Sequence, residues 1–246
     1  MSDRLRAQRP PAKAGPPRHV TLTRGGLLRG MRRLLPVGLF IVPFGVAFGV
    51  AATEEGLNPV QATLMSVFIF TAIAQFAALD FLREPVAYVS LGLVVLALSG
   101  RHVIMGAALS RWVNRLPLPH RLAALGTLTD ANFADALPGM QRGDNDVGVL
   151  LGGGVLLWIV WVASTAVGAF GGDLLGDTDA YGFGAVMLCF FAATVVGMVR
   201  GGSRLVVPVA VAMGVSAATQ PFLPTGWNII LAALVGGGAA VWRDAE

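Results

Sequence analysis

Four polar side chains lie within or beside long apolar stretches of the sequence. A polar group in such surroundings costs free energy, so its presence suggests a structural or functional role. Gln75 lies in the middle of one stretch, and Arg101 and His102 interrupt another directly after Gly100. Asp130 lies in a segment of mostly helix-forming residues. A charged group at the centre of a membrane segment costs roughly 2.5–3.5 kcal/mol on insertion scales. These positions are therefore the candidates for a functional site.

Each of these side chains offers a distinct chemistry. The Arg101 guanidinium can bind a carboxylate through two parallel N–H donors, and His102 titrates near neutral pH, which suits proton coupling. The Gln75 amide offers two donors and an acceptor. On a helix, Asn132 and Asp135 share a face, whereas Asp130 lies about 200° round from Asn132. We therefore favour Asp130 over Asp135 as the residue that lines a cavity.

The same residues also have purely structural interpretations. Gln75 can form a hydrogen bond between two helices, and Arg101 with His102 can extend to the membrane interface. Asp135 can simply be solvated, and Asp80 is expected at the interface. The sequence alone leaves these alternatives open.

Several classes of site are excluded or disfavoured by what the sequence lacks. It has no G-x-x-x-x-G-K-[ST] loop for a nucleotide, no H-E-x-x-H zinc motif and no G-x-S-x-G elbow. Cys189 is the single cysteine and the 3 histidines are scattered, so neither a disulfide framework nor a metal site is predicted. We expect no cofactor, no catalytic residue and no nucleic-acid partner.

The elements that position these residues are predicted to be membrane helices. Apolar residues make up 55% of the chain and charged residues 13%, against roughly 25% charged in soluble domains. The apolar residues occur in runs near the ~20 that a helix needs to cross a bilayer. We predict an all-α, polytopic transmembrane bundle of about seven to eight segments, one of them broken or re-entrant. The predicted spans are residues 34–53, 60–82, 86–110, 147–170, 182–199, 204–219 and 227–242.

Charge predicts the orientation of these spans. Nine of the 18 Lys and Arg residues fall within residues 1–33, which we interpret as a basic, disordered cytoplasmic arm attracted to anionic lipid, preceding a transmembrane transporter domain at 34–242. A cleaved signal peptide is the rival interpretation of this arm, but the first apolar run is longer than such peptides use. Residues 54–58 and 171–180 lack basic residues and are predicted outside, whereas Arg83, residues 200–204 and the C-terminal end are predicted inside.

This orientation requires one more crossing between residues 83 and 146 than the apolar runs supply. Either 86–110 is a broken hairpin that turns at Arg101 and His102, or residues 121–138 enter the membrane as a polar-faced segment. Non-helical or polar backbone at membrane depth is tolerated where protein or a water-filled cavity surrounds it. The sequence therefore predicts a cavity near these residues.

Glycine and proline predict how the helices pack and where they break. Small residues at G-x-x-x-G spacing let helix backbones approach closely, and this spacing occurs at Gly45/Gly49, Gly168/Gly172 and Gly197/Gly201. Pro43 removes a backbone hydrogen bond and is predicted to kink or unwind the first span, and Gly100 is predicted to allow unwinding before Arg101.

Four stretches, taken in order, resemble the AzlC family, which comprises the large subunits of branched-chain amino acid exporters. They are Pro43–Gly49, Phe70–Leu79 around Gln75, Arg101–Gly106 and Thr129-Asp130. The resemblance runs from about residue 29 to the C-terminus. It implies export of hydrophobic amino acids across the cytoplasmic (inner) membrane, with a small AzlD-type membrane subunit as partner.

The chain departs from the family pattern beside the proposed site. The family usually has glycine where Ala72 stands, asparagine where Ser99 stands and glutamate where Ala131 stands. These differences bear on the substrate more than on family membership.

The implied substrate matches the chemistry of the candidate residues. Arg101 or a helix N-terminus could bind the carboxylate of an aliphatic amino acid, and Asp130 or unwound carbonyls could bind its ammonium group. Gln75, Phe44 and Gly45 complete the predicted substrate-binding set, with His102 for proton coupling. The sequence thus predicts a secondary transporter that works by alternating access in the lipid bilayer. A non-transporting membrane scaffold and, less favoured, an intramembrane enzyme are the alternatives.

Overall fold

The computed structural model of the chain describes residues 19–79, 81, 88–175, 192, 196, 206–223 and 227–244. Within these residues the regular secondary structure is helical, and the one β-type contact is an isolated bridge between Thr21 and Asp146. The predicted all-α class is therefore confirmed. The helices are α1 (Arg24–Glu54), α2 (Pro59–Phe68), α3 (Ala72–Leu79), α4 (Tyr88–Val113), α5 (Leu118–Gly126), α6 (Asp130–Gln141), α7 (Gly148–Leu175), α8 (Val206–Thr219) and α9 (Trp227–Asp244).

Three of the described helices are long and apolar enough to cross a membrane. They are Arg24–Glu54, Leu91–Val113 and Gly148–Gly172, which correspond to the predicted spans 34–53, 86–110 and 147–170. The predicted spans 204–219 and 227–242 coincide with α8 and α9. The predicted span 182–199 lies outside the described residues apart from 192 and 196, as do Arg83, residues 200–204 and residues 176–180, so the number of segments stays a prediction.

The first helix begins earlier than predicted. The Thr23 hydroxyl accepts a hydrogen bond from the Gly26 N–H at 2.8 Å, which caps the helix start. Residues 24–33 are therefore helical, and the predicted boundary of the disordered arm at residue 33 is wrong. Residues 1–18 lie outside the described part of the chain.

The second predicted span is a hairpin of two short helices rather than one crossing helix. α2 and α3 have 10 and 8 residues, about 15 and 12 Å, against a hydrocarbon core of about 30 Å. The Gln75 Nε2 lies 2.9 Å from the Ser66 Oγ, whereas nine residues of continuous helix would separate their backbones by about 13.5 Å. The chain must therefore turn back between them, and the prediction of a continuous helix over 60–82 is wrong.

The local sequence explains why the hairpin turns where it does. Residues 67–71 are β-branched and aromatic, types that lose side-chain freedom in a helix and favour other conformations. Ile69 leaves the helical region with φ −114° and ψ 81°, and the Thr71 N–H donates to the Ile69 carbonyl at 3.0 Å in a tight turn. The structure therefore has a broken segment at 59–79, rather than at the predicted 86–110 or 121–138, and re-entrance into the membrane stays a prediction.

Neither predicted helix break is observed. α1 continues through Pro43, and α4 continues through Gly100, Arg101 and His102, so the hypothesis of a hairpin turning at Arg101 is wrong. A proline removes one backbone hydrogen bond. The neighbouring N–H groups keep their helical partners, because the apolar surroundings offer no water for them to bond instead. The alternative segment 121–138 forms α5 and α6, whose 9 and 12 residues are each too short to cross a bilayer. Pro138 lies within α6, which ends at Gln141.

The chain divides into two compact units. The first contains residues 1–40 and 101–160, and the second contains residues 41–100 and 161–246. The core of the first unit includes the fully buried Leu109 and Leu150 with Val113, Val147 and Trp112.

The second unit has an aromatic core. The Phe48 ring meets Phe76 edge-on at 5.3 Å and stacks on Trp161 at 6.3 Å. In the same unit Gly236 of α9 packs against Ala212 of α8.

Glycines allow α1 and α7 to touch through their backbones within each unit. In the first unit, a Cβ on Gly30 would lie 2.8 Å from the Gly153 nitrogen. In the second unit, a Cβ on Gly49 would lie 2.6 Å from the Ala169 nitrogen, and one on Gly168 would meet the Val46 carbonyl. The predicted close-packing role is confirmed at Gly49 and Gly168. Gly197 and Gly201 lie outside the described residues.

Candidate functional site

The first unit brings together two of the predicted site residues, Arg101 and Asp130. The Arg101 Nη1 lies 2.7 Å from the Asp130 Oδ2, and the two side chains are 37% and 61% exposed. The Arg101 Nε is buried and has no hydrogen-bond partner. The guanidinium therefore neutralises one carboxylate through one contact and keeps donors for a second acceptor.

The position of Asp130 is fixed by the start of α6. The Thr129 hydroxyl accepts from the Asn132 N–H at 3.3 Å, and the Asn132 Oδ1 accepts from the Thr129 N–H at 2.7 Å, which together form a capping box. Asp130 is thus the first residue of the helix, where a carboxylate is favoured by the helix dipole.

Sequence reasoning missed the role of Asn132. This residue is 1% exposed, and its Nδ2 donates to the carbonyls of Thr127 at 3.0 Å and Leu150 at 3.1 Å. It therefore attaches the start of α6 to α7. The capping pattern Thr129-x-x-Asn132 was the available signal, because a short polar side chain three residues after a cap can bond back to it.

A second ion pair of the first unit involves Asp135, for which the sequence left solvation open as one alternative. The Arg33 Nη1 lies 3.8 Å from the Asp135 Oδ2, with side chains 51% and 26% exposed. This pair links α1 to α6 at a longer distance than the Arg101–Asp130 pair. His102, next to Arg101 on α4, is half-buried, and its predicted role in proton coupling stays a prediction.

In the second unit, Gln75 is the centre of a buried polar network. Gln75 is 0% exposed, its Oε1 accepts from the Trp161 Nε1 at 2.7 Å, and its Nε2 donates to the Ser66 Oγ at 2.9 Å. The Ser66 Oγ also lies 2.9 Å from the Thr165 Oγ1. The amide therefore has protein partners on both atoms and joins the hairpin to α7. The interpretation of Gln75 as an inter-helix hydrogen bond describes its geometry, and its substrate-binding role stays a prediction.

Phe44 and Gly45, the other predicted binding residues, belong to the same unit as Gln75. Phe44 packs at the edge of the aromatic core. Gly45 is buried, and a Cβ there would lie 2.9 Å from the Ser164 Cβ. Gly45 thus serves close helix packing in this structure.

Another residue of the hairpin was not singled out from the sequence. The Thr71 hydroxyl lies at the turn between α2 and α3, where it is buried and has no hydrogen-bond partner. The signal that could have found it is the β-branched and aromatic run that ends α2.

Asp146 lies just before the start of α7 in the first unit and is hydrogen-bonded on both sides. Its carboxylate accepts from the Thr23 hydroxyl at 2.6 Å, the Thr23 and Gly148 N–H groups at 3.0 Å, and the Arg29 guanidinium at 3.0 Å. Burial alone would raise the pKa of Asp146, but the Thr23 and Gly148 hydrogen bonds and the Arg29 charge outweigh burial and lower the pKa below its ordinary 3.8. Asp146 is therefore a structural anchor that sequence reasoning overlooked.

A metal centre has no basis in the described part of the chain. Among residues 19–79, 88–175, 206–223 and 227–244, no three His, Cys, Asp or Glu side chains are grouped to hold an ion.

Comparison with known proteins agrees with the resemblance found in the sequence. A family model described as AzlC protein matches residues 36–175. Over 149 residues the chain is 30% identical to the inner membrane protein YgaZ of Escherichia coli (strain K12), and this match covers 59% of the chain and 61% of that relative. The chain therefore matches less than two thirds of the relative's length. No solved structure matches the chain.

Proposed function

Because the chain belongs to the AzlC family and is a transporter-like membrane protein, we propose that it exports hydrophobic, branched-chain amino acids across the inner membrane by alternating access. The inner-membrane location is supported by the relative's description and by the three long apolar helices. The branched-chain substrate and the small AzlD-type partner subunit follow from the family resemblance. Transport of this kind is non-covalent and needs no catalytic residue.

The observation that carries this proposal is the ion pair between Arg101 and Asp130. An amino acid at neutral pH is a zwitterion, with a carboxylate that suits a guanidinium and an ammonium group that suits a carboxylate. When the ligand is absent, the two side chains neutralise each other at 2.7 Å. When the ligand inserts, each side chain exchanges one opposite charge for another, so neither is left unpaired in an apolar segment.

Two further features of the pair fit this exchange. Both side chains are partly exposed, so a ligand can reach them, and the buried Arg101 Nε lacks a partner. A carboxylate that accepts from two N–H groups of the guanidinium makes the two parallel hydrogen bonds that guanidinium geometry favours. Without a ligand, Arg101 makes one hydrogen bond of this kind, to Asp130, so a ligand carboxylate that makes two can bind Arg101 better than Asp130 does.

The test is leucine transport by charge variants in reconstituted vesicles that also contain the small partner subunit. Asp130→Asn and Arg101→Lys should lower flux at least about tenfold, since a hydrogen bond to a charged group contributes about 1.5–3 kcal/mol. Asp135→Asn is the matched control, because it removes a carboxylate from the same helix and breaks an ion pair of greater length, to Arg33. It should transport leucine like the wild type.

The outcomes separate this function from that of a membrane scaffold. Variants with wild-type folded yield and lost flux support the site, because a scaffold residue would change yield instead. Wild-type flux in both Asp130→Asn and Arg101→Lys would remove the pair from the site. A wild-type protein that transports none of valine, leucine, isoleucine or methionine would contradict the function itself.

A further inference from the structure

We infer that α5 lies in the membrane interface and that the arginines around it bind the headgroups of anionic phospholipids. This inference goes beyond the proposed transport function and does not depend on it. It is carried by an exposed apolar face of α5, by the contact of that face with α4, and by a basic segment of the sequence that contains no acid. All of these residues belong to the first compact unit.

α5 presents a row of exposed leucine side chains. Leu118, Leu122 and Leu125 are exposed, and their i, i+4, i+7 spacing places them on one face of the helix. Ala124 is fully buried and lies about 120° round from Leu118, so a different face of α5 packs on the core of the unit. With 9 residues, α5 is too short to cross a bilayer. Its leucine face therefore needs apolar surroundings at the edge of the membrane.

The contact between α5 and α4 sets the depth of this leucine face. A Cβ on Gly106 would lie 3.7 Å from the Leu125 Cδ2, so Leu125 packs against α4 at the level of Gly106. Gly106 precedes Arg111, the basic residue in the last turn of α4, by about 7.5 Å along the helix. Arginine at the end of a span reaches the headgroup level. Leu125 therefore lies within the layer, about 5–10 Å deep, in which interfacial helices bury their apolar face.

The segment that contains α5 carries basic residues and no acidic ones. It includes Arg111, Arg115 and Arg121, and no Asp or Glu occurs between residues 102 and 129. Arg111 and Arg115 are exposed, and Arg121 is half-buried. A leucine face bordered by charges of one sign matches a lipid leaflet, which offers acyl chains to the leucines and anionic headgroups to the arginines.

The start of α1 adds further positive charge at this end of the unit. The Thr21 N–H donates to the Asn145 carbonyl at 3.0 Å, which holds the segment before α1 beside the start of α7. Trp112 and Val147 belong to one buried core, so the end of α4 lies there too. The first ten residues of α1 include four arginines. The positive-inside rule therefore predicts that α5 meets the cytoplasmic leaflet, whose anionic lipids attract basic segments.

The test places a fluorophore on the leucine face. In a Cys189→Ala background, Leu122→Cys carries a bimane label, and the full chain is reconstituted in phosphatidylcholine vesicles that contain brominated phosphatidylglycerol or brominated phosphatidylcholine. Bromine on the acyl chains should quench the label. Half-maximal quenching should need an at least about fivefold lower mole fraction of the anionic lipid, because one arginine near a membrane surface contributes about fivefold in affinity. Gln141→Cys, at the exposed end of α6, is the label control and should be quenched by neither lipid.

Charge variants of the labelled protein test the arginines separately from the leucines. Arg115→Gln should lower the preference for brominated phosphatidylglycerol about fivefold, whereas Arg115→Lys keeps the charge and should retain the preference. Arg142→Gln is the matched control, because Arg142 is also exposed but lies two residues before Asp144 rather than in the acid-free segment. It should leave the preference unchanged.

A second measurement needs no label. In micelles of detergent and phosphatidylcholine, added phosphatidylglycerol should raise the melting temperature of the wild type and of Arg142→Gln, because a ligand that binds the folded protein stabilises it. The rise should be smaller in Arg115→Gln/Arg121→Gln. Glycerol phosphate at the same concentration should cause no rise, since it has the charge of the headgroup but no acyl chain for the leucines to contact.

Three results would overturn the inference. A label at residue 122 that neither lipid quenches would show that the leucine face lies outside the bilayer. Equal quenching by the two lipids would show that the arginines bind no anionic headgroup. Quenching that disappears when the small partner subunit is added would assign the face to a protein instead of lipid. Because no amino acid flux is measured, failure of the proposed transport function would leave each of these results unchanged.

Discussion

The buried network around Gln75 gives a quantitative prediction about what holds the hairpin in place. Gln75→Leu keeps the approximate volume but leaves the Trp161 indole N–H buried without its acceptor, which now lies at 2.7 Å. An orphaned buried donor costs about 1–3 kcal/mol. Ser66 keeps its contact with Thr165 at 2.9 Å, so it contributes less to the loss. We therefore expect Gln75→Leu to lower the free energy of unfolding by about 1–3 kcal/mol.

A double variant isolates the contribution of the hydrogen bond itself. Trp161→Phe removes the indole N–H and retains an aromatic ring beside Phe48. Replacing both partners of a buried hydrogen bond by apolar groups leaves no orphan. The Gln75→Leu/Trp161→Phe protein should thus be less destabilised than the sum of the single variants, by about 0.6–1.7 kcal/mol, the range measured for hydrogen bonds between membrane helices.

The assay is reversible unfolding in mixed micelles, followed by far-ultraviolet circular dichroism. Gln61→Leu serves as the control, because Gln61 is an exposed capping residue that accepts from the Asn58 N–H at 2.9 Å. Its loss should cost at most about 1 kcal/mol. Additivity of the two core variants within about 0.3–0.5 kcal/mol would show that the network does not hold the hairpin, and the reasoning would be refuted.

Three further predictions concern other parts of the fold. The pKa of Asp146 is lowered in the folded protein, so its contribution to stability should be full above about pH 4 and should be lost as the pH falls through the lowered pKa of the folded state. Asp146→Asn should remove this acid sensitivity when unfolding is measured as a function of pH. Gly49→Ala should lower the melting temperature, because its Cβ would meet the backbone of α7. Gly92 has open space within 4 Å, so Gly92→Ala should leave the melting temperature equal or higher. The opposite order of the two melting temperatures would refute the packing argument. Because the α2–α3 hairpin turns back, Asn58→Cys and Val89→Cys should label from the same side of the membrane in intact cells, and labelling from opposite sides would show that the hairpin crosses.

The sequence predicted the fold class and the long apolar helices because membrane insertion demands long apolar runs. Such runs are visible without any knowledge of contacts. It failed at the hairpin because apolar composition continues through Phe70 and Thr71, and hydropathy does not distinguish a turning segment from a crossing one. The β-branched and aromatic run at 67–71 favours a break there, but the contact that holds the two arms together joins Ser66 and Gln75, nine residues apart, and no local pattern reports it.

The breaks predicted at Pro43 and Gly100 failed for the opposite reason. These residues weaken a helix locally, but in an environment without water the remaining backbone groups have no better partner than the helix. Local propensity was overridden by the cost of exposing backbone N–H and C=O groups.

The sequence indicated which residues could form the candidate site better than it indicated which of them contact one another. Arg101 and Asp130 were identified because charges in apolar surroundings require a reason, and the structure joins them at 2.7 Å. Gln75 was identified by the same rule, but its partner Trp161 could not be, because an indole in an apolar run carries no polar signal. Thr71 was missed because threonines inside helices normally satisfy their own hydroxyl.

The network that holds the hairpin to α7 contains no ionisable group. Gln75, Ser66, Thr165 and Trp161 bond through neutral amide, hydroxyl and indole groups. A unit charge moved across a membrane potential of 100 mV changes its energy by about 2.3 kcal/mol, whereas a neutral group that moves the same distance gains nothing. The attachment of the hairpin should therefore be equally strong in an energised and a de-energised cell, and any dependence of transport on membrane voltage must enter through charges elsewhere in the protein or through an ion that travels with the substrate.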